Sequence, residues 1–124
     1  MAHILLAEDD DAMRLFLARA LGEAGHEVVT AADGTEALPW LERECFDLLL
    51  SDIVMPGIGG IELARHCERL CPQTRIMLIT GFAAVSLEAS REAPRATVLS
   101  KPFHLRDLVL EVERRLAGPA LQTL

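Results

Sequence analysis

Four groups of polar residues each follow an apolar run in this 124-residue sequence. The groups are Glu8-Asp9-Asp10-Asp11, Ser51-Asp52, Thr80-Gly81 and Ser100-Lys101-Pro102. Carboxylate oxygens are the ligands that Mg2+ prefers, and crowded carboxylates repel one another until a cation enters. A hydroxyl and an ammonium are suitable donors to phosphate oxygens. If the fold brings the four groups together, the sequence predicts a magnesium site that handles a phosphoryl group.

The elements between these groups should place them at one edge of a sheet. Five short apolar runs alternate with segments of helical spacing, which predicts an α/β fold with a doubly wound parallel sheet and right-handed crossovers. The runs are Ile4–Ala7, Val28–Ala31, Leu48–Leu50, Arg75–Ile79 and Ala96–Leu99. Ligands of such sheets bind beyond the carboxyl ends of the strands, where the strand order reverses. An acidic run or a Lys-Pro pair alone indicates only a helix start or a turn, so the prediction depends on their joint occurrence.

The helical segments carry their own signals. One face of the first helix is predicted to hold Met13, Phe16, Leu17, Ala20 and Ala24, and one face of the last helix Leu105, Leu108, Val109, Val112 and Leu116. Gly25 is expected just past the end of the first helix, and Asp33-Gly34 at the turn into the second. Pro39 should kink the second helical segment, Thr35–Arg43, or delay its start. Trp40 is expected to cover the kink, with a partner contact as the less favoured alternative.

Composition excludes several classes of protein. A net charge of −7, with lysine and arginine scattered along the chain, argues against a nucleic-acid-binding face. The longest uncharged stretch, Ile76–Leu87, is too short to span a bilayer, and Gly81 interrupts it. The amino terminus lacks the pattern of a signal peptide. We therefore expect a cytoplasmic protein without membrane insertion, and a monomer.

The three cysteines, Cys45, Cys67 and Cys71, form an odd set without framework spacing. This pattern predicts free thiols in a reducing compartment. A helical metal site at His66, Cys67 and Cys71 is a less favoured alternative, because structural zinc sites take four ligands.

Taken with their flanking residues, the four polar groups resemble the motifs of the response-regulator receiver family over residues 2–117. The motifs are Ile4-Leu-Leu-Ala-Glu-Asp-Asp, Leu48-Leu-Leu-Ser-Asp-Ile-Val-Met-Pro-Gly, Met77-Leu-Ile-Thr-Gly and Leu99-Ser-Lys-Pro-Phe. The resemblance implies a (βα)5 fold of the flavodoxin-like or CheY-like type, with strand order 2-1-3-4-5. It also implies a protein that catalyses only its own phosphorylation and dephosphorylation, and is not otherwise an enzyme.

The resemblance assigns a role to each residue of the site. Asp52 would be the phosphoacceptor and would also bind Mg2+. The other metal ligands would be Asp9, the backbone carbonyl of Val54 and, through water, Glu8. Thr80 and Lys101 would hold the phosphoryl group, and the bond from Lys101 to Pro102 is expected to be cis.

A surface formed by the fourth helix, fifth strand and fifth helix would change on phosphorylation and contact partners. Its expected residues are Phe82, Ala83, Ala84, Val85, Val98 and Phe103. Val98 departs from the family, which usually has an aromatic residue there, so Phe82 or Phe103 would have to replace its switching role.

The predicted organisation is a receiver domain at 1–117 and a short tail at 118–124, without an output domain. A finer resemblance is to CpdR-type single-domain regulators, carried by Asp52-Ile-Val-Met-Pro, Gly60-Ile-Glu-Leu-Ala-Arg, Ile79-Thr-Gly-Phe-Ala-Ala-Val and Leu99-Ser-Lys-Pro-Phe-His-Leu-Arg-Asp-Leu-Val. That resemblance implies an adaptor for the ClpXP protease, active when unphosphorylated and controlled by a histidine kinase or histidine phosphotransferase. A phosphorelay shuttle or phosphate sink, and a chemotaxis-type protein-binding regulator, share every site residue and stay as alternatives.

Overall fold

The computed structural model describes residues 1–101 and 103–118. Over that range the chain alternates strictly between strands and helices. In order, the elements are β1 (His3–Ala7), α1 (Asp11–Glu23), β2 (Glu27–Ala31), α2 (Gly34–Arg43), β3 (Leu48–Asp52), α3 (Gly60–Leu70), β4 (Arg75–Thr80), α4 (Ala83–Glu92), β5 (Thr97–Ser100) and α5 (Leu105–Ala117).

The five strands form one parallel sheet in the order β2-β1-β3-β4-β5. One apolar cluster lies between the sheet and α2, α3 and α4, and includes Leu5 of β1 and Leu63 of α3. A second lies between the sheet and α1 and α5, and includes Leu6 of β1 and Val112 of α5. Neighbouring residues of β1 thus enter opposite clusters, which is why the central strands are continuous apolar runs. The predicted fold class and strand order are confirmed.

The predicted strands all exist, with bounds that differ by one or two residues. β3 continues through Ser51 to Asp52, and β4 continues to Thr80, so polar residues belong to the strands rather than to the loops after them. β5 is shifted by one residue, to Thr97–Ser100. The predicted bounds differ because an apolar run shows only the buried part of a strand. The hydrogen bonds between neighbouring strands continue past that part.

The apolar face of α5 is confirmed, because Leu108 and Val112 are buried and the other three predicted residues pack against the same cluster. The predicted face of α1 is partly wrong. Leu17 and Leu21 are its buried residues, whereas Phe16 is 58% exposed. Helix α1 lies over the edge strand β2 as well as β1, and part of its apolar side, including Phe16, stays exposed. The buried stripe is therefore narrower than the apolar pattern suggested.

Helix α2 begins one residue earlier than predicted and contains Pro39, so the proline does not delay its start. Asp33 caps the helix, since its carboxylate accepts a hydrogen bond of 2.8 Å from the Glu36 amide. A Cβ built on Gly34 would lie 2.0 Å from the carbonyl oxygen of Ile58, so only glycine fits at this helix start. Trp40 packs partly buried against the core, as expected for a residue covering this segment.

The cysteines require a correction. Cys45, in the loop after α2, is disulfide-bonded to Cys71 at the end of α3, with 5.6 Å between their Cα atoms. The free-thiol prediction is therefore wrong for this pair and correct for the buried Cys67. The helical metal site is also wrong, because the sulfur of Cys71 is bonded. Residues 26 apart meet because α2 and α3 pack side by side on one face of the sheet, which local spacing does not reveal.

The structure also tests the predicted glycine at the end of α1 and the expected lack of a membrane-spanning helix. Gly25 has φ +99°, as expected for a glycine just past a helix end. Among the described residues, none of the helices is both long and apolar enough to cross a membrane. The bond to Pro102 and the tail from 119 to 124 lie outside the described residues.

Candidate functional site

Three carboxylates meet at the carboxyl edge of the sheet, beside the point where the strand order reverses. Glu8 and Asp9 follow β1 and Asp52 ends β3, and each offers an oxygen within 4.8 Å of the other two. Glu8 is 1% exposed and Asp52 8%, whereas Asp9 is exposed. The group therefore has two buried members and one open to solvent, an arrangement that lets a hydrated cation enter from one side.

Glu8 is fixed by its backbone and by one of its two carboxylate oxygens. Its amide donates to the carbonyl of Ala31 at 3.1 Å, and its own carbonyl accepts from the Arg14 guanidinium at 2.9 Å. Oε2 accepts from the Asp10 amide at 3.1 Å. Oε1 is buried and has no hydrogen-bond partner among the described residues. A buried acceptor without a partner, beside two other carboxylates, fits a metal ligand.

The electrostatics agree with this interpretation. Burial raises the pKa of the Glu8 carboxyl to about 7. The hydrogen bond from the Asp10 amide and the charge of Lys101 oppose that rise, and the neighbouring charge of Asp52 adds to it. A carboxyl whose charged form is destabilised in this way gains most from a cation.

The acidic run at 8–11 divides into two pairs with different contacts. Asp10 caps α1, since its carboxylate accepts from the Met13 amide at 2.8 Å. Asp11 forms an ion pair of 2.7 Å with Arg14. Only the first two acids of the run therefore point into the carboxylate group.

The residues expected to hold phosphate lie on the other side of Asp52. The Lys101 ammonium is 3.4 Å from Asp52 Oδ2. Thr80 is 1% exposed at the end of β4, and its hydroxyl oxygen accepts from the Phe82 amide at 3.1 Å. The Lys101 amide donates to the Thr80 carbonyl at 2.8 Å, which extends the pairing of β4 with β5 to the site. The structure thus brings Asp52, Thr80 and Lys101 together from three adjacent strands.

Gly60 is a site-supporting residue that sequence reasoning missed. A Cβ built on it would lie 2.3 Å from the carbonyl oxygen of Asp52. The Gly60 amide donates to the Ile53 carbonyl at 2.8 Å, so the first residue of α3 packs backbone to backbone on the end of β3. The pair Gly59-Gly60 at a helix start was the available signal. Val54 lies in this same loop, half exposed, and its role as a ligand stays a prediction.

The expected switch residues do not form one group. Phe82 is 61% exposed at the start of α4. Val85 and Val98 pack against the cluster under α2, α3 and α4, whereas Phe103 packs against the cluster on the opposite face of the sheet. Phe103 is therefore on the wrong face to replace an aromatic residue at Val98. The side chains of Ala83 and Ala84 lie outside the described part of the structure.

Helix α1 also carries an exposed apolar surface. Leu15 and Phe16 are 61% and 58% exposed, and they line a groove that begins at Asp10, beside the carboxylates. The sequence indicated this surface through Leu15, an apolar residue off the predicted buried face. Because Phe16 was assigned to the core, the two residues were not recognised as one exposed apolar pair.

The fold and the site together agree with one known family. The family model described as the response regulator receiver domain matches residues 4–113, and the chain belongs to this family. The response regulator receiver protein CpdR of Brucella abortus (strain 2308) is 56% identical over 117 residues, covering 94% of this chain and 98% of that protein. The chain is therefore CpdR-like in sequence over nearly its whole length.

Solved structures give the same result. The receiver domain of the hybrid histidine kinase CckA superposes with a TM-score of 0.78 at 36% identity, covering 92% of this chain and 98% of the other. The response regulator TrrA of Thermotoga maritima, crystallised in complex with Mg(2+)-BeF, superposes with a TM-score of 0.82 at 31% identity, covering 93% and 99%.

Proposed function

We propose that the chain is a single-domain response regulator that accepts a phosphoryl group on Asp52 from a phosphohistidine donor, with Mg2+ as cofactor. The observation that carries the proposal is the position of Asp52 between two opposite charges. On one side are the carboxylates of Glu8 and Asp9, and on the other the Lys101 ammonium at 3.4 Å. A nucleophilic carboxylate between a cation site and an ammonium is suited to phosphoryl transfer, where positioning and electrostatics supply most of the catalysis.

The donor set suits Mg2+. Asp9 and Asp52 would bind the ion directly, the Val54 carbonyl would complete the protein ligands, and the orphaned Glu8 Oε1 would bind through water. When bound, Mg2+ neutralises charge on the phosphoryl oxygens and on the carboxylates. The Mg(2+)-BeF complex of TrrA, a structure of the same fold at 31% identity, supports this choice of ion.

The transfer follows from the chain's own residues. An Asp52 oxygen attacks phosphorus in line, an O–P bond forms, and the N–P bond of the donor histidine breaks with its electron pair left on nitrogen. Lys101 donates to an equatorial oxygen and offsets its charge. The Thr80 hydroxyl can donate to another oxygen, because its present contact uses only its capacity to accept. Hydrolysis of the aspartyl phosphate at the same residues would end the signal. The chain would then catalyse only its own phosphorylation and dephosphorylation, and would convert no separate substrate.

The groove on α1 gives the donor a docking surface. Leu15 and Phe16 are exposed apolar side chains on the helix that begins beside Asp9. A donor seated there would hold its histidine above the edge that carries Asp52. We assign this surface to a histidine kinase or histidine phosphotransferase, and the likeness to the CckA receiver domain supports that partner class.

We propose an adaptor for ClpXP-type protease machinery in the cytoplasm as the output, regulated by the state of Asp52. The support is the 56% identity to CpdR over almost the whole length of both chains. The exposed Phe82, directly before α4, and Leu87, within α4, offer contacts for such a partner.

Labelling the full chain with acetyl phosphate tests the acceptor. With Mg2+, wild type should gain one phosphoryl group by intact mass, and chelation of the metal should prevent it. Asp52→Asn should gain none. Asp47→Asn is the matched control, because Asp47 precedes the opposite end of β3 and should not affect labelling. Equal labelling of the Asp52→Asn variant would refute the assignment.

Affinity capture tests the output. Immobilised wild type and Asp52→Asn should both retain purified ClpX, and phosphorylation of wild type should release it. If neither form binds ClpX, the adaptor proposal fails, and rapid return of the phosphoryl group to a histidine phosphotransferase would favour the shuttle.

A further inference from the structure

The amino end of the sheet, opposite the carboxylates, holds a cysteine pair that phosphoryl chemistry does not use. Cys45 lies between α2 and β3, and Cys71 ends α3. Their Cα atoms are 5.6 Å apart, within the range from which two cysteines can bond without backbone movement. The structure holds the two cysteines as a disulfide, and the loops that carry them need not move for the bond to form.

The two cysteine residues differ in exposure. Cys45 is exposed, whereas Cys71 is 2% exposed and its sulfur lies 3.9 Å from the Leu41 carbonyl oxygen. The third cysteine, Cys67, is fully buried, and burial raises the pKa of its thiol to about 11. The thiolate is the reacting form, and burial disfavours it. An exposed cysteine can therefore react with a small disulfide in solution, whereas a buried cysteine reacts only with a partner in the same chain.

We propose that Cys45 and Cys71 form a reversible thiol–disulfide exchange site for low-molecular-weight disulfides, with Cys45 as the entry thiol and Cys71 as the resolving thiol. The Cys45 thiolate attacks a small disulfide, forming a mixed disulfide and releasing one small thiolate. The Cys71 thiolate then attacks the Cys45 sulfur, forming the protein disulfide and releasing the second. The protein loses two electrons and two protons, and the small disulfide is reduced to two thiols.

The site is remote from the phosphoacceptor. Cys45 precedes β3 and Asp52 ends it, and a five-residue strand is about 16 Å long. The bond instead joins the ends of α2 and α3, which pack against each other on one face of the sheet. Oxidation should therefore restrain these two helix ends and leave the carboxylate site unchanged. The inference stands independently of the proposed function.

Peptide mapping tests the pairing. The reduced full chain is incubated with oxidised glutathione, quenched in acid, alkylated during denaturation and cleaved with trypsin. The three cysteines fall in separate tryptic peptides, 44–65, 66–69 and 70–75. We expect a cross-link between 44–65 and 70–75, reversed by dithiothreitol, with Cys67 alkylated. Three alkylated cysteines, or a cross-link that includes Cys67, would overturn the proposal.

Two single variants test the order of attack. Cys71→Ala should accumulate a glutathione mixed disulfide on Cys45, because no resolving thiol remains. Cys45→Ser should react at Cys71 at least about tenfold more slowly, since that sulfur is buried. Equal rates would overturn the assignment of the entry thiol. Circular dichroism confirms folding, and Cys67→Ala is the matched control, which should form the disulfide as wild type does.

Thermal melting adds a readout that does not depend on labelling. Closing a loop of this length should raise the Tm of wild type by roughly 5 °C or more relative to the reduced form. The Cys45→Ser variant should show no such difference between oxidised and reduced samples. A wild-type Tm unchanged by oxidation would contradict the restraint of the two helix ends.

Discussion

The two ends of the sheet are built on opposite principles. At the amino end the polar groups are matched. His26 Nδ1 accepts from the Ala2 amide at 3.1 Å while its Nε2 contacts Glu113, and His3 lies within 3.3 Å of the carboxylates of Glu27 and Glu44. At the carboxyl end, three acids crowd together with one ammonium beside Asp52, and a buried oxygen of Glu8 has no partner within the described ranges.

The difference separates stability from function within one sheet. Matched groups at the amino end stabilise the fold and need no ligand. Unmatched groups at the carboxyl end destabilise it until something binds. Substitutions at the two ends should therefore change different measurements, and this expectation can be tested.

The largest effect should come from filling the space above Asp52. Gly60→Ala would place a Cβ 2.3 Å from the Asp52 carbonyl oxygen, so the loop or α3 must move. We expect a loss of about 2–4 kcal/mol in the free energy of unfolding and severely reduced phosphorylation. Urea denaturation and acetyl phosphate labelling measure the two.

The matched control for that variant is Gly22→Ala, where a new Cβ would meet nothing within 4 Å. Within helix α1 this change should stabilise the protein by about 0.5–1 kcal/mol. If both variants are neutral, Gly60 does not constrain the site.

Neutralising one buried acid should have opposite effects with and without metal. Glu8→Gln removes a destabilised charge, so the metal-free protein should gain about 1–2 kcal/mol at pH 8. The same variant should bind Mg2+ about tenfold or more weakly. Thermal melts with and without Mg2+ give both values.

Asp11→Asn is the control for Glu8→Gln, because Asp11 belongs to the same acidic run but pairs with Arg14 instead. It should change neither the metal-free stability nor the Mg2+ response appreciably. A Glu8→Gln protein that is less stable without metal would contradict the picture of an unmatched site.

At the amino end the effect should be on stability alone. His26→Ala removes the acceptor of the Ala2 amide and should cost about 1–2 kcal/mol. The rate of acetyl phosphate labelling should not change. His104→Ala is the control, because His104 is exposed and its side chain makes no capping bond. Slower labelling of His26→Ala would show that the two ends are coupled.

The smallest effect on stability should come from the exposed ring of Phe16. Phe16→Ala should change the free energy of unfolding by less than about 0.5 kcal/mol, since the ring is 58% exposed. Transfer from a phosphorylated histidine kinase should slow, while labelling by acetyl phosphate should not. Equal slowing with both donors would place Phe16 in the acceptor chemistry rather than in docking.

The carboxyl end was predictable from the sequence and the amino end largely was not. Strands end where apolar runs end, so Asp52, Thr80 and Lys101 could be assigned to one edge from local pattern alone. The bond between Cys45 and Cys71 depends on how α2 and α3 pack, which no local pattern contains. Phe16 was misassigned for a related reason, because the apolar face of a helix does not reveal how much of it a neighbour covers.

Close backbone contacts at glycine were the second feature that could not be predicted from the sequence. The contact of Gly60 with Asp52, and of Gly34 with Ile58, leaves no trace in hydrophobic periodicity. A sequence does not distinguish a glycine in close backbone contact, with no room for a Cβ, from a glycine in an open turn.

Gly34 also limits which sequence changes this chain can accept during evolution. Its absent side chain lets the first residue of α2 press against the Ile58 carbonyl oxygen, in the loop that follows Asp52. Every single-base change that alters a glycine codon adds a side chain or ends translation. We therefore expect position 34 to accept almost no mutation in a saturation screen, although it is not among the residues proposed to hold metal or phosphate.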